Sequence, residues 1–181
     1  RGNIVDGDRI MGICAKAMKA EGRLKKDTLV VTVMSNIGLK KRMTELGINV
    51  AETKVGDRYV LEEMLKEGYS IGGEQSGHVI FLDKNTTGDG MLTAIQVLDV
   101  MKSTGRRMSA LANDIPIYPQ VLVNVIVDNE IKHQAMEDQD LLQRIREVEG
   151  KLGSSGRVLV RASGTEPIIR VMLEGQNTDE I

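Results

Sequence analysis

The sequence predicts a layered α/β domain followed by a smaller α+β module, and three observations carry that reading. Runs with helical spacing alternate with short β-branched runs through roughly the first hundred residues. Pro116 and Pro119 then forbid a regular helix across residues 115–119 and mark a linker. Beyond them the order becomes strand, helix and a hairpin-like strand pair within about 60 residues, a size at which a lone core is marginal.

Each element follows from local pattern. Residues 10–20 place apolar side chains at helical spacing and stop at Gly22, while 28–33 is a β-branched run between Lys25-Lys26-Asp27 and Ser35-Asn36, the pattern of a buried strand. Asn36 caps a helix running to Leu46, Gly47 ends it, and 48–54 reads as a second strand. A short helix over 59–66 stops at Gly68, two strands over 70–73 and 78–82 flank Glu74-Gln75-Ser76-Gly77, and 88–101 is a helix with Asp89 in its first turn. In the second module Val121, Val123, Val125 and Val127 share one face of a half-buried strand. Residues 141–148 read as a helix ending at Gly150, 153–156 as a turn, and 157–160 and 168–173 as strands. Thr178 before Asp179-Glu180 reads as a capped helix start cut off at Ile181, so a terminal helix is expected beyond it.

Composition narrows the function classes. The 181 residues are 41% hydrophobic and 28% charged with a formal charge of −2, a globular composition. No apolar run approaches the roughly 20 residues of a membrane span, and no basic start leads into an apolar stretch and a cleavage site, so neither a membrane nor a secreted protein is expected. Cys14 alone cannot form an internal disulfide, and His78 and His133 lie far apart in sequence, so no cysteine or histidine metal cluster is expected and a cytoplasmic setting fits. The near-balanced charge and scarce aromatics (Tyr59, Tyr69, Phe81, Tyr118) argue against nucleic acid as a partner, and Lys40-Lys41-Arg42 and Lys25-Lys26 read as solvated faces.

Five segments invite a chemical reading. Arg161-Ala162-Ser163-Gly164-Thr165-Glu166-Pro167 joins two strands; its glycine and hydroxyls suit a nest of backbone N–H groups for a phosphate dianion, with Arg170 a second guanidinium, or else form a polar turn with surface arginines. Gly72-Gly73-Glu74-Gln75-Ser76-Gly77-His78 places acceptors and donors at a strand end, where open α/β sheets hold ligands, or is a glycine-rich hairpin facing water. His78 by itself reads as structural. Lys54-Val55-Gly56-Asp57-Arg58-Tyr59 is an active-site loop or a helix start capped by Asp57. Asp6-Gly7-Asp8-Arg9 has too few acids for Mg²⁺, and Asp8 as a cap accounts for it; capping also explains Thr86-Thr87-Gly88-Asp89-Gly90.

Together, Gly73-Glu74-Gln75-Ser76-Gly77-His78 and residues 161–167, with Val33-Met34-Ser35-Asn36, residues 55–60 and residues 86–90 in the same order, resemble the α-D-phosphohexomutase superfamily, and within it the phosphoglucosamine mutases. The resemblance covers essentially the whole chain. It implies a three-layer α/β/α third domain with a mixed sheet over residues 4–115, and a fourth domain over 118–181 with an antiparallel sheet and helices, lacking its final helix. It assigns sugar hydroxyls to Glu74 and Ser76, and Gln75 between them matches the glucosamine enzymes. Phosphate falls to Arg161, Ser163, Gly164, Thr165 and Arg170. Lys54, Asp57, Arg58 and His78 become cleft residues without assigned roles.

The same resemblance implies a cytoplasmic enzyme that interconverts glucosamine 6-phosphate and glucosamine 1-phosphate through a phosphoserine and a bisphosphorylated intermediate. The phosphoserine loop and the Mg²⁺ loop belong to two preceding domains and are absent from this sequence, so the chain alone is expected to be inactive and to hold no metal. Phosphoglucomutase or phosphomannomutase activity, or a non-catalytic phosphosugar-binding module, are the alternatives.

Overall fold

The computed structural model of the chain describes residues 2–181, which divide into one unit up to Ile117 and another from Tyr118 to Ile181. In the first unit the alternation becomes α1 (Gly7–Ala20), β1 (Thr28–Thr32), α2 (Ile37–Glu45), β2 (Asn49–Thr53), α3 (Asp57–Glu67), β3 (Ile71–Gly73), β4 (Val79–Phe81), α4 (Gly90–Thr104) and α5 (Met108–Asn113). The strands lie in the order β2-β1-β3-β4, with β1 parallel to β2 and β3, and β4 antiparallel to β3.

The period of two in β1 sorts the core into layers. Leu29 and Val31 face a cluster with Met11 and Cys14 of α1, Leu39 and Met43 of α2, Val97 and Val100 of α4, and Leu111 of α5. Val30 faces the other way, against Val60 and Met64 of α3 and Ile80 of β4. All five positions of β1 are buried, which is why its sequence is an unbroken apolar and β-branched run rather than an alternating one. The result is an α/β/α sandwich around a mixed sheet.

The second unit runs β5 (Gln120–Ile126), α6 (Lys132–Ala135), α7 (Gln139–Leu152), β6 (Gly156–Ala162) and β7 (Ile168–Gly175), with 3-10 turns at Gly153–Ser155 and Thr178–Glu180. Its strands form an antiparallel sheet, β5-β7-β6. Leu152, Ile169 and Met172 are buried there, beside an ion pair between Arg157 and the fully buried Glu174.

Several local expectations change. Asp6, not Asp8, caps α1, accepting from the Arg9 amide at 3.0 Å. Asp8 turns inward, fully buried, and accepts from the Asn36 amide at 2.7 Å. Gly56 rather than Asp57 is the N-cap of α3, and Asp89 is the N-cap of α4 instead of lying in its first turn. Helix α7 passes through Gly150 and ends at Gly153, because Leu152 is buried and holds the last turn down. Asn177, not Thr178, caps the final 3-10 turn. Helices α5 and α6 were not expected. Strand β5 is more open than its alternating valines imply: Val123 is 51% and Val125 45% exposed, because β5 is an edge strand and α7 packs on β6 at the opposite edge.

Candidate functional site

In the first unit the candidate residues gather where the parallel strands end. The loops after β2 and β3 both leave the C-terminal edge of the sheet, the edge at which open α/β sheets carry ligands. Between β3 and β4 the turn is closed by Glu74 N donating to His78 O (2.9 Å) and Gly77 N donating to Glu74 O (3.0 Å), with Gly77 at φ 104°. Helix α1 presses on it: Gly7 N donates to Gln75 O at 3.0 Å, and a Cβ on Gly7 would lie 2.2 Å from Glu74 O.

Glu74 reaches across to the neighbouring loop, where its Oε1 accepts from Gly56 N at 3.0 Å. That amide opens α3, so the carboxylate sits at the positive end of a helix. Glu74 and Gln75 are half-buried, whereas Ser76 and His78 are exposed and available to a solute. Lys54, Asp57 and Arg58 are exposed as well. Asp57 Oδ1 accepts from the Arg58 amide (2.8 Å), and Arg58 donates to Glu62 one turn on (2.7 Å), a contact that raises the guanidinium pKa. Arg58 is thus engaged along α3. The 86–90 segment returns to this edge too, since a Cβ on Gly88 would lie 3.4 Å from His78 Cα. The hydrogen bond joining Glu74 to Gly56 links the loop bearing Lys54, Asp57 and Arg58 to the loop bearing Glu74, Gln75, Ser76 and His78.

The residues present do not fit Mg²⁺. Asp6 is spent on its cap and Asp8 on the Asn36 amide, and no group of three or more acids, histidines or cysteines that could hold a metal occurs among the described residues. Burial pushes the Cys14 thiol up to about 12, so it is no nucleophile at neutral pH.

In the second unit the candidate loop joins β6 to β7. Arg161 and Arg170 are cross-strand partners, so both guanidinium stems rise from one face of the sheet. Like charges placed directly opposite repel; burial and then the neighbouring Arg170 lower the Arg161 pKa. Arg170 is partly compensated by Glu166 at 2.5 Å, while Arg161 has no ion pair among the described residues. The loop backbone is held by Ser163 N donating to Ile168 O (2.9 Å) and Glu166 N donating to Ser163 Oγ (3.2 Å). Gly164 and Thr165 are exposed, and their amides have no acceptor among the described residues. Two undirected N–H groups beside two facing guanidinium groups form a place for an anion with several oxygens.

Sequence reasoning missed Lys132, whose buried Nζ donates to Ser163 O (2.6 Å) and Glu166 O (3.1 Å). One lysine in a polar stretch carries no pattern that would mark it. It also missed the part played by Gly7 and Gly56, although both lie in segments it singled out. A cavity of about 530 Å³ elsewhere, beside Gly2–Val5, Arg9 and Arg107, involves none of these loop residues.

Comparison with known proteins fits this layout. Residues 6–118 match the family described as phosphoglucomutase/phosphomannomutase, alpha/beta/alpha domain III, and residues 122–181 match its C-terminal domain. The chain belongs to the phosphoglucomutase/phosphomannomutase family. Within that family it is 58% identical over all 181 residues to the phosphoglucosamine mutase of Caldanaerobacter subterraneus subsp. tengcongensis and 58% identical over 180 residues to that of Alkaliphilus oremlandii. The chain spans 40% of the length of each of these relatives. Among solved structures, Aspergillus fumigatus N-acetylphosphoglucosamine mutase in complex with GlcNAc-6P and magnesium aligns with a TM-score of 0.82 at 20% identity, over 98% of this chain and 45% of that one. A phosphomannomutase-type protein of Thermus thermophilus aligns with a TM-score of 0.66 at 21% identity, over 97% of this chain and 38% of that one. At those identities the structures support the fold. No helix among the described residues is long and apolar enough to cross a membrane.

Proposed function

We propose that this chain is the sugar- and phosphate-binding part of a cytoplasmic phosphoglucosamine mutase, which interconverts glucosamine 6-phosphate and glucosamine 1-phosphate. Residues up to 115 act as the third domain and residues 118–181 as the fourth. The observation that carries the reading is the loop between β6 and β7, where paired Arg161 and Arg170 flank the open amides of Gly164 and Thr165. That is the chemistry of a phosphate grip, and relatives 58% identical along the whole chain bear the phosphoglucosamine mutase name.

In this reading Ser163, Gly164 and Thr165 with Arg161 and Arg170 hold the phosphate that is not being transferred. Glu74 accepts from sugar hydroxyls through its second oxygen, Oε2, while Oε1 stays on Gly56. Ser76, exposed at the turn tip, adds a hydroxyl contact, and Gln75 shapes the amino-sugar preference. Lys54, Asp57, Arg58 and His78 line the same loop cluster and tune its charge. Gripping hydroxyls and phosphate separately lets a bisphosphorylated intermediate turn over and present either end to a phosphoserine. Phosphoserine and Mg²⁺ belong to polypeptide outside this sequence, and no step is assigned to residues here beyond binding and orientation.

A coupled mutase assay tests the reading. This chain alone is expected to give no turnover, and turnover that Glu74→Ala abolishes would overturn that. The longer protein to which the chain belongs is expected to prefer glucosamine phosphates. Preference for glucose or mannose phosphates would place it with the phosphoglucomutases or phosphomannomutases instead.

A further inference from the structure

We infer that Lys132 is a positioning residue for the 163–167 loop: its buried ammonium fixes two loop carbonyls so that the amide of Gly164 stays turned toward phosphate, beside the open amide of Thr165. The inference rests on the phosphate reading of that loop.

Lys132 opens α6 and is only 6% exposed. Its Nζ donates to Ser163 O at 2.6 Å and Glu166 O at 3.1 Å, and it forms no ion pair among the described residues. Burying an ammonium against neutral carbonyls is costly, since no opposite charge offsets the lost hydration. What the contact secures is backbone direction. In a trans peptide the C=O and the following N–H point opposite ways, and the described residues contain no cis bonds. With Ser163 O aimed at Lys132, the Gly164 N–H must aim away from it, toward solvent. With Glu166 O aimed the same way, the following residue is Pro167, which has no N–H to misdirect.

Of the other loop amides, Ser163 N is spent on Ile168 O and Glu166 N on Ser163 Oγ, while Thr165 N is open and the carbonyl before it accepts no hydrogen bond from Lys132. Lys132 therefore works on the peptide plane between Ser163 and Gly164, whose rotation would replace a donor with an acceptor oxygen at the anion's place. Its positive charge behind the loop adds to the attraction. A neutral, shorter side chain would leave Ser163 O without its donor while Glu166 O keeps Ile168 N, and the Ser163–Gly164 peptide would lose its fixed orientation.

The test is a titration of the ¹⁵N-labelled chain with inorganic phosphate, following the Gly164 and Thr165 amides. The wild-type amides should shift and saturate. Lys132→Met should weaken apparent affinity by about 10-fold or more, the scale of a lost charge-assisted hydrogen bond, with the resonances of β5, β6 and β7 unmoved. Lys132→Arg should recover most of the loss. If Lys132→Met loses the sheet resonances, Lys132→Gln is read instead and should bind at least about threefold more weakly. Unchanged phosphate affinity in a folded Met or Gln variant, with or without a lower melting temperature, would make the lysine purely structural and overturn the inference. Silent loop amides in the wild type would overturn the phosphate reading itself, and the role of Lys132 with it.

Discussion

Glu74 caps a helix that lies before it in the chain: its Oε1 accepts from Gly56 N at 3.0 Å, across 18 residues. Gly56 has φ 129° and no side chain, so α3 lacks a capping oxygen of its own. The carboxylate supplies one, and the helix start in turn holds that carboxylate in place; in the proposed function it is this fixed carboxylate that meets the sugar. Glu74→Ala should therefore destabilise the first unit by about 1 kcal/mol, the usual worth of an N-cap, with faster amide exchange in the first turn of α3. Glu74→Gln keeps an acceptor oxygen and should recover most of that stability. If the proposed function holds, both variants should lower kcat/KM of the longer protein in the coupled mutase assay, because the charge proposed to face the sugar is gone in each.

Gly7 bears on the same turn from the other side. A Cβ there would meet Glu74 O at 2.2 Å, Gln75 O at 2.8 Å and Gly77 N at 2.8 Å, all backbone atoms that cannot swing aside. Gly7→Ala should cost about 2 kcal/mol or more, read as a lower thermal midpoint, with faster amide exchange at residues 74–77. Its helical backbone would itself accept alanine, so a stabilised variant would contradict the close packing.

These two contacts mark how far the sequence could be read. The buried run 28–33, the cap at Asn36 and the stop at Gly68 announce themselves through local pattern, and they became β1, α2 and the end of α3. The loop residues were visible as types: Glu74 and Ser76 by the glycines around them, Arg161 and Arg170 by their places beside the 163–167 turn. What joins them was not visible. Asp8 and Asp57 each satisfy the local rule for a cap, yet Asp8 is drawn inward to the Asn36 amide 28 residues away and Gly56 takes the other cap with the help of Glu74. Lys132 likewise acts on a loop 31 residues on. Partners at such separations are fixed by strand order, which no short-range pattern encodes.

Within the second unit, Glu174 is fully buried and accepts from Arg157 Nε at 2.6 Å and Gln120 Nε2 at 2.8 Å. Removing the arginine strands a carboxylate away from water. Arg157→Ala should cost about 3 kcal/mol, measured by urea unfolding of the 118–181 unit. Replacing both partners, Arg157→Met with Glu174→Met, should return stability to within about 1 kcal/mol of wild type, since a well-packed apolar pair avoids the desolvation of two charges. A double variant as unstable as Arg157→Ala would show that the polar network is needed for its directionality.

Asp114 gives the first unit an acid-sensitive clasp. Arg106 grips its carboxylate with two nitrogens, at 2.6 and 3.0 Å, and Lys16 of α1 donates at 2.7 Å. The Arg106 hydrogen bonds first, and the Lys16 bond second, hold the carboxyl well below the usual carboxylate range. A depressed pKa in the folded state means that unfolding at low pH takes up a proton the native state refuses. The contribution is therefore fully present at neutral pH, above the unfolded value of about 3.9, and drains away as pH falls below it toward the folded value. Asp114→Asn should lower the melting temperature at pH 7, and the gap to wild type should narrow steadily from about pH 4 downward as the unfolded state takes up the proton that the native carboxylate still refuses. A gap that stays constant through that range would mean the clasp contributes shape alone, with no charge in it.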